Sequence, residues 1–298
     1  MPEEIARVGD VELAYETFGD PAHPSMLLVM GLATQMLGWR APFCEELAGR
    51  GFHVIRFDNR DVGRSTKFAS HRPPTVGQLL RRDASAAAYT LADMADDAVG
   101  LLDRLGIDRA HMAGASMGGM IAQTIAFRHP ERVLSLASIM SNTGARWSGQ
   151  PSLSLYSVLL KRAPRDRDAF VEHQMAVFAR TGSPGFPRDE DDLREMAATS
   201  YDRGHDPASA GRQLAAILAS GDRTPDLAQI GVPTVVIHGT KDKLVAPSGG
   251  RATAKAIPGA RLVTIEGMGH DLPRGAWPRI VEAIADNAAR AGAPARAA

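Results

Sequence analysis

The strongest constraint on folding is a series of short apolar runs: Met26 to Met30, Val54 to Phe57, Ala110 to Ala113, Leu134 to Met140, Thr234 to His238 and Leu262 to Ile265. They lack the apolar–polar alternation of a half-exposed strand and suit strands buried on both faces. Helical patterns lie between several of them. The clearest starts at Thr90, whose hydroxyl is placed to cap it with Asp93 three residues on. It continues with Leu91, Ala95, Ala98, Leu101, Leu102 and Leu105 on one face, and Gly106 ends it. Alternation of this kind implies an α/β fold, with a mostly parallel sheet covered by helices on both faces. Val11 to Phe18 differs, because it alternates apolar and polar residues after Gly9-Asp10. It reads as the second arm of an antiparallel hairpin at a sheet edge.

The rhythm breaks between about Thr143 and Asp226. Leu155 to Lys161, Phe170 to Arg180, Leu193 to Tyr201 and Gln213 to Ser220 follow one another as helical patterns with no strand between them. The economical organisation is a core domain made of residues 1–142 and 227–298, with residues 143–226 inserted as a helical cap. Turns at Gly182 to Pro187 and Gly204 to Pro207 divide the insertion. A chain of 298 residues is long enough for one such domain with its insertion. The tail from about Arg290, rich in Ala, Arg, Gly and Pro, is expected to fray.

Composition excludes several classes of function. Basic and acidic residues balance at 34 each, so no global field attracts nucleic acid or an anionic membrane surface. A small neutral molecule is the expected partner. The one cysteine, Cys44, supports neither an intramolecular disulfide framework nor a cysteine metal cluster, and reads as a small apolar helix residue. The first residues carry Glu3, Glu4 and Arg7 instead of an apolar signal run, and no stretch is long and apolar enough to span a bilayer. The expected location is the cytoplasm. Oligomeric state is not legible.

Gly114-Ala115-Ser116-Met117-Gly118 follows the run Ala110 to Ala113 and opens a helical pattern through Ile121, Ile125 and Phe127. In this strand–turn–helix context Gly-x-Ser-x-Gly exposes the serine on a sharp turn, and Ser116 is the expected nucleophile. A serine hydroxyl needs a base to take its proton, and the base needs an acid to fix its tautomer. Asp242 lies four residues past the run ending at His238, and His270 follows Gly267-Met268-Gly269 after the run ending at Ile265. Both would project from carboxyl ends of parallel strands, where open α/β sheets place their sites. His111 and His238, in strands, and His129, near a helix end, read as structural. Asp271 is the weaker choice for the acid, because neighbouring side chains rarely point at one another. Asp202, His205 and Asp206 have metal-ligand chemistry but no recognised spacing, and read as a solvated turn.

Together these features resemble the α/β-hydrolase family over nearly the whole chain. Asp58 to Ser65 is similar to that family's Asp-x-Arg-Gly-x-Gly-x-Ser turn, with Asp61 where glycine is usual. It is expected to organise loops around the nucleophile without a chemical part. Met30-Gly31-Leu32 resembles the family's His-Gly-x oxyanion turn with methionine for histidine. The resemblance therefore assigns the two oxyanion donors to the backbone N–H groups of Leu32 and Met117. With Trp39 and the Ala-Ser-Met-Gly-Gly elbow, these segments look most similar to methylesterases acting on anthracycline-type polyketides. The implied activity is cofactor-free, metal-free hydrolysis of a carboxylic ester, with a cap over Ser116 selecting small-alcohol esters of apolar acids. Trp39 and Met117 are expected to touch that substrate. The same triad is compatible with carbon–carbon bond hydrolysis, lactone opening or perhydrolysis. A ligand receptor on the same fold is the non-enzymatic alternative, and serine at 116 disfavours dehalogenase and epoxide hydrolase chemistry.

Overall fold

The computed structural model describes residues 2–81, 83, 85, 87–155 and 163–292. Its eight strands form one sheet in the order β1-β2-β4-β3-β5-β6-β7-β8. Glu4–Val8 (β1) and Val11–Phe18 (β2) make the expected hairpin, with Val8 opposite Val11. Beyond an antiparallel join of β2 to His53–Phe57 (β4), the strands run parallel: Ser25–Val29 (β3), Ala110–Ala115 (β5), Val133–Ile139 (β6), Thr234–Gly239 (β7) and Arg261–Ile265 (β8). Each run singled out in the sequence is a strand within a residue or two of its expected ends.

Side chains on successive strand residues go to opposite faces, and two apolar cores result. Leu27, Val29, Ile55, Phe57 and Met112 join helices Leu91–Arg104 (α3) and Met117–Arg128 (α4) on one face. Met26, Leu28, Val54, Ala113 and Ala115 join Ala41–Gly49 (α1) and the last long helix, Trp277–Ala289 (α10), on the other. A short helix, Val76–Arg81 (α2), precedes α3. Thr90 accepts from the Asp93 N–H in a complete capping box, and Gly106 takes φ 68° past the helix end. β8 departs from the expected two-sided burial. It is the sheet's edge, and only Ile265 of its residues is buried.

Between β6 and β7 the described residues form four α-helices and no strand: Arg167–Thr181 (α5), Glu190–Gly204 (α6), Ser209–Ser220 (α7) and the single turn Thr224–Leu227 (α8), whose Leu227 joins the core. The helix expected over Leu155 to Lys161 falls, past Leu155, outside the described residues. The two ends of the segment meet, since Arg223 donates its N–H to the Thr143 carbonyl at 2.8 Å and its guanidinium to that of Asn142 at 2.8 Å. Pro247–Ala256 (α9) links β7 to β8.

His111 is a core histidine, as its strand position suggested. It is 6% exposed, shares a hydrogen bond with the Ser135 hydroxyl at 2.8 Å and stands edge-on to Phe52. Burial lowers its pKa to about 4, against about 6.5 for a histidine in an unfolded chain. Between those values the unfolded state holds the extra proton, so stability is lost as pH falls through that window, by roughly 3 kcal/mol in all. We expect urea unfolding at pH 7 and pH 4.5 to show this loss in the wild type. A His111→Gln variant should show a loss smaller by about 2 kcal/mol, and equal losses in the two proteins would contradict the assignment.

Candidate active site

Ser116 lies between β5 and α4 with φ 57° and ψ −120°. A residue with a Cβ in this region is strained, at a cost on the order of 1–3 kcal/mol that its surroundings must hold. They do so by close packing. A Cβ on Gly114 would lie 2.1 Å from the Gly118 carbonyl oxygen, and one on Gly118 would lie 2.0 Å from that of Val29. Only glycine lets the elbow press this tightly on itself and on β3. The Ser116 N–H donates to the Ile139 carbonyl at 2.9 Å and ties the elbow to β6.

The structure brings the three singled-out side chains into one row. His270 Nε2 is 2.9 Å from Ser116 Oγ, and its Nδ1 is 2.7 Å from Asp242 Oδ2. The other Asp242 oxygen accepts the N–H groups of Leu244 and Val245, both at 2.9 Å. Burial opposes charge on Asp242, yet the positive charge and hydrogen bonds of His270 and His238 hold its carboxyl below the usual aspartate range. His238, read as structural, is buried beside the same carboxylate, with Nε2 2.8 Å from the Val245 carbonyl and 3.4 Å from Asp242 Oδ2. Asp271 turns away from the row and accepts from the Ser183 hydroxyl, and burial raises its pKa.

The turn at Gly31 passes directly over the nucleophile. A Cβ on Gly31 would lie 3.1 Å from that of Ser116. Met117 begins α4, and the first N–H groups of a helix have no intrahelical acceptor. The Asp58 to Ser65 turn buttresses this region, as Asn59 donates to the Met30 carbonyl at 2.8 Å and Asp58 accepts the Met36 N–H at 2.7 Å.

Two expected substrate contacts belong to the core instead. Trp39 is fully buried and stacked on Phe43, whose ring meets Trp277 edge-on, so packing between α1 and α10 accounts for it. The Met117 side chain is likewise fully buried, in the core on the α3 and α4 face, which leaves only its backbone toward Ser116. Cys44 is buried, its thiol pushed up to about 12 chiefly by burial. Asp202 pairs with Arg167, Asp206 with Arg212, and His205 Nε2 sits 2.7 Å from the Pro164 carbonyl. Among the described residues no group of His, Cys, Asp or Glu is placed to hold a metal ion, and no helix is long and apolar enough to cross a membrane.

What sequence reasoning missed is how the β6–β7 helices grip the site. Arg212 of α7, 1% exposed in its side chain, binds Asp61 through Nε and Nη2 (2.9 and 2.6 Å), while Tyr89 donates to the same carboxylate at 2.5 Å. Arg203 of α6 meets Asp58 and Glu3, each at 2.9 Å. At the histidine loop, the His270 N–H donates to the Thr181 carbonyl at 2.7 Å and that of Gly269 to the Ser183 hydroxyl at 2.8 Å. The signal was Asp61 itself, a charged residue where glycine is usual and therefore in need of a partner.

Residues 24–273 match the α/β-hydrolase-fold family. Two rhodomycin D methylesterases are similar over nearly their whole length. That of Streptomyces sp. (strain C5) is 30% identical and that of Streptomyces peucetius 29%, each alignment spanning 92% of this chain and 93% of the relative. Among solved structures, an enol-lactonase from Burkholderia xenovorans superposes with a TM-score of 0.75 at 26% identity, covering 95% of this chain and 99% of that one.

Proposed function

The chain belongs to the α/β-hydrolase fold family and is a hydrolase of the carboxylesterase type, and we propose that it cleaves small-alcohol esters of apolar acids through an acyl-enzyme on Ser116. The observation that carries this reading is the row Asp242–His270–Ser116, with hydrogen bonds of 2.7 and 2.9 Å on a strained elbow. Ser116 Oγ attacks the ester carbonyl carbon as its proton passes to His270 Nε2, while Asp242, kept ionised, holds the opposite Nδ1–H. The N–H groups of Leu32 and Met117 receive the negative charge that develops on the carbonyl oxygen. His270 returns the proton to the departing alkoxide, which leaves as the alcohol. Water, deprotonated by the same nitrogen, then releases the acid and restores the serine.

Residues 143–226 serve in this reading as the cap. An interior of its own suits that part: Phe170 is buried with its ring 5.6 Å from that of Tyr201 and 4.3 Å from that of His205. The substrate assignment leans on the two relatives named as rhodomycin D methylesterases and on the balanced charge of the chain. Lactone opening is the second reading, favoured by the enol-lactonase likeness. A lactone is an internal ester and uses the same steps. Methyl esters of bulky aromatic acids should exceed charged esters and long-chain triglycerides in kcat/KM by at least about tenfold, with lid substitutions altering the ranking. A panel of these esters assayed on the wild type and on variants of α5 and α7 measures this. A preference for charged or triglyceride substrates would sink the substrate assignment while leaving the triad in place.

A further inference from the structure

We propose that Gln213, on cap helix α7, is a positioning residue that holds the oxyanion turn in its working conformation. The inference rests on the ester-hydrolase reading above. Gln213 is fully buried and both ends of its amide are committed: Oε1 accepts the Ala33 N–H at 2.7 Å, and Nε2 donates to the Arg60 carbonyl at 2.9 Å. Because one partner is a donor and the other an acceptor, only one orientation of the amide satisfies both.

Ala33 directly follows Leu32, the assigned oxyanion donor, and its φ is 54°. Alanine seldom adopts this left-handed region. Ala33 is exposed, so packing does little to keep it there, and the bond from Gln213 pins it from the cap. The neighbouring peptides are locked to that geometry. The Gly31 carbonyl accepts the Thr34 N–H at 3.2 Å, and the Thr34 hydroxyl donates to the Leu32 carbonyl at 3.1 Å. In a planar trans peptide the N–H points opposite to the C=O. With the Gly31 carbonyl turned to Thr34, the Leu32 N–H faces away from it, in a turn packed against Ser116. If Ala33 relaxes to negative φ, the turn unwinds and this donor swings off its target. The far end of the turn is held the same way, since Gln35 donates to the Ser200 carbonyl at 2.6 Å and accepts from Arg203. Arg212, the preceding residue of α7, is fixed to Asp61, so the helix presents the Gln213 amide at a set distance.

An oxyanion donor acts on charge that exists only in the transition state, so misplacing it lowers kcat and leaves substrate binding nearly unchanged. Gln213→Leu removes the acceptor, and Gln213→Glu keeps an acceptor oxygen at the same reach while the O–H of the buried, protonated acid takes over the bond to the Arg60 carbonyl. With a p-nitrophenyl ester we expect the folded Leu variant to lose about 10–100-fold in kcat, with KM within about threefold of wild type. Its rate of covalent capture by a p-nitrophenyl phosphonate, which also builds charge on an oxygen in the same place, should fall in parallel. The Glu variant should stay within about fivefold of wild type in both. Thermal melting of each protein checks that the comparison is made on folded enzyme. A folded Leu variant with wild-type kcat, a change in KM alone, or equal losses in the Leu and Glu variants would overturn the inference. Ser116→Ala assayed alongside separates the two levels. If it is inactive while Gln213→Leu turns over normally, only the role of Gln213 fails. If it retains turnover, the Ser116 acyl-enzyme reading fails and the inference with it.

Discussion

Replacing Ser116 with alanine should lower kcat on an activated ester by ~10⁴ or more while the protein stays folded. The size follows from removing the atom that forms the covalent bond. What survives is attack by water on a substrate still bound and polarised, a residue of catalysis that oxyanion donors and positioning sustain without the nucleophile. The fold should tolerate the change, because among the described residues Oγ bonds to His270 Nε2 alone, at 2.9 Å. The strained φ of 57° is set by backbone packing around Gly114 and Gly118 instead. Alanine meets the same backbone penalty as serine, so thermal melting should move by no more than a few degrees. Steady-state kinetics beside a melting curve checks both halves, and a folded variant with more than about 1% of wild-type turnover would contradict the assignment.

Asp242→Asn should cost a similar order, ~10⁴ in kcat, for a reason the hydrogen bonds make specific. One oxygen of Asp242 accepts two backbone N–H groups, from Leu244 and Val245. In the asparagine variant that position must remain the carbonyl oxygen, because an NH₂ there would face two donors. The amide nitrogen is therefore forced toward His270 Nδ1. Neutral His270 then accepts at Nδ1 and carries its proton on Nε2, toward Ser116, where it can no longer take the serine proton. Kinetics should show the loss in kcat with the melting temperature little changed. Asp271→Asn should leave kcat within about tenfold, since that carboxyl is bound to Ser183 instead. The reverse ranking of the two variants would move the acid to Asp271.

Much of the sheet was legible because a strand buried on both faces has little choice of composition. Runs such as Thr234 to His238 announce themselves, and the turns that follow them carry the site. β8 has the same apolar character but lies at the edge, and neighbourhood in a sheet is not written in any single strand. The row of Ser116, Asp242 and His270 was legible for a related reason: each lies in a glycine-bearing turn that follows a strand. Trp39 and Met117 were misplaced because proximity in sequence to a catalytic turn does not determine which way a side chain points. In α4 every residue from Met117 to Ala126 is buried, so periodicity carries no facing information there. In α7 the buried residues are Ser209, Arg212, Gln213, Ala215 and Ala216, while Leu214 and Leu218 are only half-buried. Its polar stripe at i, i+3, i+4 faces the core because Asp61, the Asp61 carbonyl and the Ala33 N–H wait there for partners. An ionic seam of this kind is visible only when both sides are in place.

Cleavage of the ester in two steps, with the acyl group held on Ser116, is tested by rapid mixing with a p-nitrophenyl ester followed by intact-mass and peptide mass spectrometry. A burst approaching one p-nitrophenol per enzyme is expected when deacylation is the slower step. Acid-quenched protein should be heavier by the acyl mass, with the added mass on the peptide containing Ser116. An acyl group found on another residue, or wild-type turnover by Ser116→Ala with no adduct, would contradict it.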